Sequence, residues 1–415
     1  MSASPDRTPA ADAEAPPGAV AARRLAVVGV SEPGPCGVRD HGRLLAEELT
    51  RTGMPCSRHW LERGQPGLRG ALAEARAWAA DLPDAVRAER AEAIVLHYSC
   101  FATAHRGVPL LARPLVGALR RTALPVVAVM HELTFPFGRA GLRGALWAST
   151  QRLALLETLR AVDAVVVTTE ERRRWLRSRR WLPRRPVAFA PVFSNLPQPR
   201  VSADPSSHAA SPAVLAMFGY PHDSSAEVIL RALSRLSDPG APVLRLVGAP
   251  GSDSQVGAAW RASAARLGLG ERLSFTGVLD PQALSDALAG ADLILFSDPP
   301  GPTSRKGTLA GSLASGTAVL ALDGPSTWTE LREAGALSIV AREESSLAHE
   351  IARMLGDEHA RAELGARGKR FAEAAMGVHR TAVAVGELLD GLPAGAYAGP
   401  AAHRLRRSGL SRSST

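Results

Sequence analysis

The sequence predicts an α/β protein made of two Rossmann-like domains that face a cleft. Apolar runs of strand length alternate with helix-forming segments, and a proline- and serine-rich stretch at 195–213 divides this alternation into two similar halves. Strands joined through helices pair in parallel with right-handed crossovers, so ligands are expected at the carboxyl ends of the strands. Two such halves place a ligand cleft between them.

The first half opens with a buried strand at 25–30, a glycine-containing loop at 31–40 and a helix from about residue 41 to 51. Gly37 in this loop lets a ligand approach the backbone closely, or simply starts the helix; the GxGxxG spacing of dinucleotide sites is absent. A helix is also predicted at 70–80, and further strands at 56–60, 93–98, 125–131, 164–169 and 187–192.

The second half begins with a predicted strand at 214–219. Strands follow at 244–247, 273–276, 293–296, 317–322 and 337–340, with helices at 226–236, 255–267 and 281–289. Three last helices are predicted at 345–355, 358–375 and 378–392. The predicted division is an N-terminal domain at 23–196, a linker at 197–212, a C-terminal domain at 213–376 and a closing helix at 377–393.

The two ends of the sequence differ from the regular halves. Residues 1–22 are rich in Ala, Pro and acidic residues and lack the pattern of a signal peptide, so we expect a disordered leader. Residues 394–415 carry Gly, Pro, Ser and arginine without an acidic residue, which predicts a mobile basic tail.

Composition limits the class of protein. The 415 residues are 46% hydrophobic, enough to bury a core in each domain. A net charge of +9 indicates an anionic partner, which could be a nucleotide phosphate, a membrane surface or a nucleic acid. Three scattered cysteines argue against a disulfide framework or a metal site, and no run approaches the roughly 20 apolar residues of a membrane-spanning helix. We therefore expect a globular, cytoplasmic protein.

The main candidate site is the loop of a strand–loop–helix–strand unit at 292–322. A helix predicted at 308–315 begins there and stops at Gly316. Free helical N–H groups, the helix dipole and two cations together form a phosphate or diphosphate site. Lysine occurs only twice in this arginine-rich chain, and one of the two is in the loop, although chance placement remains an alternative. The predicted diphosphate ligands are Thr303, Ser304, Arg305, Lys306, Gly307 and Thr308.

Two histidines lie at the carboxyl ends of predicted strands. His97 and His131 would face the ligand crevice, where an imidazole can hydrogen-bond a sugar hydroxyl or move a proton near neutral pH. The alternative is a structural role within the fold.

The segment at 172–185 contains eight arginines and two tryptophans. Such a mixture suits the interface of an anionic membrane, and it would also suit stacking on single-stranded nucleic acid. The third interpretation is an ordinary solvated helix. A peripheral position at the inner face of the membrane is therefore one expectation.

Five short motifs occur in order in the second half: MFGY at 217–220, LVG at 246–248, LSFTGV at 273–278, ADLIL at 291–295 and ASGTAV at 314–319. As a set they resemble the donor-binding domain of glycosyltransferases with the two-domain GT-B fold, in particular a divergent bacterial member of the retaining family 4. The resemblance covers 24–392. It implies catalytic roles for His131, Arg305 and Lys306, and an acceptor held near Gly37, Arg39, His97 and His131.

The sequence also departs from that family. Thr303 and Gly311 stand where the family has two glutamates that contact the donor sugar and the ribose, and residues 220–225 lack the usual basic residue. We expect Arg305 and Lys306 to have taken over neutralisation of the diphosphate.

The expected function is transfer of a sugar from a nucleotide-diphosphate donor to a glycan, lipid-linked or small-molecule acceptor. The resemblance implies retention of configuration, and the absence of an Asp-x-Asp motif favours metal-independent transfer without a further cofactor. Closure about the linker would exclude water from the cleft. Two alternatives stay open: an inactive paralogue that binds a nucleotide, a glycan or a partner protein, and a nucleic-acid-binding protein explained by its charge.

Overall fold

The computed structural model describes residues 23–34, 36–65, 67–200, 212–219, 223–236, 241–248 and 251–392. The predicted leader and basic tail lie outside the described residues, as does most of the predicted linker.

The first half forms a sheet of six parallel strands in the order β2-β1-β3-β4-β5-β6. The strands are β1 (Leu25–Ser31), β2 (Cys56–Glu62), β3 (Ala93–Ser99), β4 (Val126–Glu132), β5 (Ala164–Val167) and β6 (Val187–Phe189). The helices between them are α1 (Gly37–Arg51), α2 (Gly67–Ala88), α3 (Ala112–Thr122), α4 (Gly141–Leu159) and α5 (Glu170–Ser178).

The second half forms another sheet of six parallel strands in the order β12-β11-β10-β7-β8-β9. The strands are β7 (Val214–Phe218), β8 (Val243–Val247), β9 (Leu273–Gly277), β10 (Leu293–Phe296), β11 (Val319–Leu322) and β12 (Ser338–Val340). The helices are α6 (Asp223–Ser234), α7 (Gln255–Arg266), α8 (Pro281–Ala289), α9 (Gly307–Ala314), α10 (Thr329–Glu333), α11 (Glu344–Gly356), α12 (Glu358–Ala375) and α13 (Val378–Asp390).

The predicted fold class is confirmed, and the differences lie at the ends of elements. β5 ends two residues earlier than expected because Thr169 caps α5, its hydroxyl accepting the Arg172 N–H. β6 ends at Phe189, and the N–H of Val192 donates to Ser304 of the other domain instead of a neighbouring strand. α1 begins at Gly37, four residues before the predicted start, and the short helix α10 was not predicted.

Strand order determines where ligands can bind. β1 lies between β2 and β3, and β7 lies between β8 and β10. In each sheet, therefore, strands are added on one side of the first strand and then on the other, and the strand order reverses at that point. The loops that leave neighbouring strands there run to opposite faces and open a crevice at the carboxyl edge. In the second sheet, the loop after β10 is one side of that crevice.

The last helix returns to the first domain. Ala382, Val385 and Leu389 of α13 join the buried cluster that contains Leu45 of α1 and Val127 of β4. A polar contact of 2.9 Å between His379 and Glu48 adds to this packing. Because α13 follows the second domain directly, it joins the two domains on the side of α1.

One glycine tests how closely the second domain is packed. A Cβ at Gly365 in α12 would lie 2.0 Å from the carbonyl oxygen of Gly316, which is backbone and cannot rotate away. We expect Gly365→Ala to lower the free energy of unfolding by about 1–3 kcal/mol, as overpacking does. The matched control is Gly356→Ala in α11, where nothing lies within 4 Å. Equal urea midpoints for the two variants would contradict this account of the packing.

Candidate functional site

The loop at 303–308 leaves the carboxyl edge of the second sheet and docks against the first domain. The Ser304 carbonyl accepts the Val192 N–H at 2.8 Å, and the Ser304 hydroxyl donates to the Thr168 carbonyl at 2.7 Å. α9 begins at Gly307, with Lys306 at its N-cap and no side-chain cap bond. The first amides of α9 and two cations therefore lie where the two domains meet.

Glu132 joins the domains through its carboxylate. One oxygen lies 2.6 Å from the Arg172 guanidinium of the first domain, and the other lies 2.6 Å from the Arg305 guanidinium of the second. Arg172 is the most enclosed of the three, because only 15% of its side chain is exposed. Burial is the main cause that lowers the pKa of Arg172, and Arg305 adds to it while Glu132 opposes it.

The second cation of the loop is also paired. Lys306 Nζ lies 2.8 Å from a carboxylate oxygen of Asp298, which follows β10 and is 8% exposed. Arg342 donates to the Asp298 carbonyl at 2.8 Å and fixes the turn, and burial lowers the pKa of Arg342. With Glu132 and its two arginines, this cluster contains four cations against two carboxylates. The excess of two positive charges equals in size the charge of a diphosphate esterified at both ends, which carries one negative charge on each phosphate.

Thr303 and Gly311, which stand where the family has glutamates, differ in their surroundings. Thr303 is 4% exposed, and its hydroxyl has no hydrogen-bond partner among the described residues. Gly311 lies in α9, where an added Cβ would be 3.1 Å from Leu196 and 3.2 Å from Phe218. These apolar side chains occupy the space that a glutamate would need, so Gly311 cannot be replaced by one without movement.

The first domain contributes a cluster of three histidines. His97 Nδ1 and His131 Nε2 lie 3.0 Å apart, a hydrogen-bond distance, and the His41 ring packs edge-on against both. His41 also stacks on Phe193 with ring centroids 4.0 Å apart. His41 and His97 are only 3% and 2% exposed, so both imidazoles are enclosed by protein.

These histidines are neutral. Burial, with the Arg172 guanidinium adding to it, lowers the pKa of His131 to about 3. Burial also lowers the pKa values of His41 and His97 well below the ordinary value. An imidazole with such a pKa can donate or accept a hydrogen bond near neutral pH, but it does not take up a proton there.

The same three histidines are the residues to consider for a metal. One ring nitrogen from each lies within 4.8 Å of the others, and no second such group is found in the part of the chain that the structure describes. Imidazole nitrogens are ordinary zinc ligands. Here, however, the contact between His97 and His131 is already a hydrogen bond. The expectation of no metal stays a prediction.

Two residues of the first loop complete the predicted acceptor side. Gly37 begins α1, and nothing lies within 4 Å of where its Cβ would be. Arg39 pairs with Glu62 and donates to the Gly34 carbonyl at 2.7 Å. The open space at Gly37 suits the approach of a ligand, whereas Arg39 has partners of its own.

The arginine-rich segment at 172–185 is not one continuous surface, and this corrects its description from sequence. Arg172 is enclosed in the contact with Glu132, and Leu176 and Leu182 pack into the core of the first domain. The helical part ends at Ser178, and Trp181 is 45% exposed. Among the described residues, no helix combines the length and apolar character needed to cross a membrane.

Sequence reasoning missed four residues of this site: Glu132, Arg172, Asp298 and His41. A signal existed for two of them, because Glu132 follows His131 at the end of a strand and Asp298 follows a buried apolar run. The roles of Arg172 and His41 depend on partners far away in the chain.

The neutral histidines predict a loss of stability in mild acid. An unfolded histidine binds a proton below a pH of about 6.5, whereas these buried ones do not, so their stabilisation is present above that pH and is lost as the pH falls. We expect the melting temperature to fall between about pH 7 and pH 5.5, with a shallower slope in His97→Gln/His131→Gln. His359→Gln is the control, because its side chain is 86% exposed. Identical slopes in all three proteins would contradict burial of neutral imidazoles.

A scan against protein-family models gives no match, and neither does a search of curated proteins. Solved structures do match. Sucrose-phosphate synthase from Thermosynechococcus elongatus is similar at 15% identity over 89% of this chain and 98% of that chain, with a TM-score of 0.65. HepE of Anabaena in complex with UDP-glucose is similar at 17% identity over 89% of this chain and 100% of that chain, with a TM-score of 0.61.

A candidate UDP-N-acetylglucosamine 2-epimerase from Listeria monocytogenes is also similar, at 13% identity over 90% of this chain and 98% of that chain, with a TM-score of 0.56. At these identities the likeness is one of fold. The chain has the GT-B fold, in which two Rossmann-like domains face each other across a cleft.

Proposed function

We propose that the protein is a glycosyltransferase that uses a nucleotide-diphosphate sugar and binds the diphosphate at the start of α9. The observation that carries this proposal is the convergence of Arg305, Lys306 and the α9 N-terminus in the crevice of the second sheet. HepE, which has a similar fold, forms complexes with UDP and with UDP-glucose, and this similarity supports the proposal.

The chemistry requires stabilisation of a leaving diphosphate while positive charge develops on the sugar. Fixed guanidinium and ammonium groups and helical N–H donors supply it when they are held in place before the reaction. Arg305 and Lys306 are held by Glu132 and Asp298. A diphosphate must therefore join or displace these carboxylates, and the two excess positive charges of the cluster favour its entry.

The acceptor would lie against the first domain, between the loop that begins at Gly37 and the end of β4. Neutral His131 would hydrogen-bond a hydroxyl there. We propose retention of configuration and metal-independent transfer, on the resemblance to family 4. We also propose a glycan, lipid-linked or small-molecule acceptor and a cytoplasmic location with peripheral membrane contact.

An inactive paralogue is the second candidate, and two observations favour it. Both loop cations are paired with carboxylates, and the space beside Gly311 is filled by Leu196 and Phe218. Such a protein would bind a nucleotide or a glycan without transferring sugar.

Calorimetric titration tests the donor site. UDP, GDP, ADP and their sugar conjugates are titrated into the wild-type protein and into Arg305→Ala/Lys306→Ala. We expect one nucleotide to bind the wild type and the double variant to bind it at least about tenfold more weakly, because charged hydrogen bonds contribute about 1.5–3 kcal/mol each.

The control for that titration is Arg353→Ala, which removes an exposed arginine of the same domain from its pair with Glu350 in α11. Thermal unfolding checks that the double variant is folded. The proposal fails if no nucleotide binds the folded wild type, or if the double variant binds as tightly.

Donor hydrolysis separates the two candidate functions without an identified acceptor. With the nucleotide sugar that binds, we expect slow release of nucleotide diphosphate at the same rate with and without EDTA, since protein cations stabilise the leaving group. The rate is measured by a coupled assay, and Arg305→Ala/Lys306→Ala should abolish it. Turnover that stops in EDTA and returns with Mg²⁺ or Mn²⁺ would contradict metal independence. Binding without turnover would favour the paralogue.

A further inference from the structure

Helix α4 buries Leu155 and Leu159 near its end but exposes three other leucines along its length. Leu142, Leu146 and Leu153 are 92%, 54% and 62% exposed, and their spacing of four and seven places them on one side of the helix. The buried side carries Gly144, Ala148, Gln151 and Ala154 over most of its length, and Leu155, Thr158 and Leu159 at its end. Three exposed leucines on one side of a helix form an apolar patch, and such patches mark interaction surfaces.

The same surface is basic. Residues 133–156 contain Arg139, Arg143 and Arg152 and no acidic residue, and Glu157, the one carboxylate of α4, is paired with Arg113. Arg152 lies over the ring of Phe137, which is 55% exposed, at 4.0 Å from its centroid. Arginines and apolar side chains intermixed in this way suit the boundary between lipid headgroups and acyl chains.

Neighbouring segments extend the positive charge. Burial lowers the pKa of Arg152, and the Arg179 guanidinium after α5 is near enough to add to the effect. The turn around Gly107 packs against the Trp147 ring, and Gln151 Nε2 donates to the Gly107 carbonyl at 2.8 Å. This contact attaches to α4 the loop that carries exposed Phe101 and Leu110.

The position of α4 relates the surface to the cleft. The loop that leads into α4 leaves β4 directly after His131 and Glu132, at the carboxyl edge of the first sheet. Exposed Phe137 lies in that loop. A flat partner on this surface would therefore approach the edge of the cleft on the side of the first domain.

We propose that Phe137, Leu142, Leu146 and Leu153, with Arg139 and Arg143, form a surface that docks on an anionic lipid bilayer, hereafter the α4 surface. The leucines and Phe137 enter the headgroup and acyl boundary, and the arginines contact anionic headgroups. A second copy of the chain that docked through the same surface would need carboxylates there to complement the arginines, and residues 133–156 supply none.

Vesicle co-sedimentation of the full chain tests this docking without any nucleotide sugar, so its result is independent of the proposed transfer activity. Phosphatidylcholine vesicles are compared with phosphatidylcholine–phosphatidylglycerol vesicles at low and high salt. We expect the wild type to sediment with the anionic vesicles only, and less as salt rises. The test variants are Leu142→Gln/Leu146→Gln/Leu153→Gln and Arg139→Gln/Arg143→Gln.

Each test variant has a matched control elsewhere on the surface. Leu68→Gln/Val278→Gln/Val383→Gln removes three exposed apolar side chains, and Arg261→Gln/Arg370→Gln removes two exposed arginines. We expect each test variant to bind anionic vesicles at least about tenfold more weakly and each control to bind like the wild type.

Three outcomes would overturn the proposal. In the first, the wild type does not sediment with anionic vesicles at low salt. In the second, the test variants bind as well as their controls, which would assign the attraction to other basic segments. In the third, analytical ultracentrifugation shows a dimer that the leucine variant dissociates while lipid binding is absent, which would make the α4 surface a contact between copies.

Discussion

The carboxylate of Glu132 is the contact on which the arrangement of the cleft depends. Without it, the guanidinium groups of Arg172 and Arg305 would face each other as like charges across the two domains. Arg172 also donates to the Thr168 hydroxyl at 2.9 Å and so ties the end of β4 to the start of α5. Loss of one partner from a fully buried pair costs about 3–5 kcal/mol, and partial exposure reduces that figure here. The first domain therefore fixes the position of the loop at 303–308 through charge.

This contact also sets a condition on any ligand of the loop. A diphosphate brings negative charge beside Glu132 and Asp298, so binding is favourable only if the cations and the α9 amides outweigh that repulsion. Fold alone does not decide the reaction, because this chain is similar both to sucrose-phosphate synthase and to a candidate epimerase. The specific evidence therefore lies in the charge cluster.

The sequence predicted the two sheets and the position of the loop because buried parallel strands are continuous apolar runs, and such a run is a local signal. It did not predict the pairing of Glu132 with Arg305, which are 173 residues apart. A single sequence carries no sign that two distant charges meet. The enclosure of Arg172 within the segment at 172–185 was not predicted for the same reason, since Arg172 resembles its exposed neighbours until its partner is known. His41 was missed because only the folded chain brings it against His97 and His131.

Helix α4 shows a related limit of sequence patterns. Leu155 and Leu159 pack into the core, but Leu142, Leu146 and Leu153 do not, because the core side nearer the start of the helix accepts Gly144, Ala148 and the amide of Gln151. That amide bonds to backbone at Gly107 and at Phe135. Small residues on that side allow the helix to lie close to the loops at the edge of the cleft. The three exposed leucines are then left outside, where water is a poor environment for them. The packing that shapes the acceptor edge thus produces the apolar surface beside it, and a bilayer covering that surface would lie next to the acceptor side of the cleft.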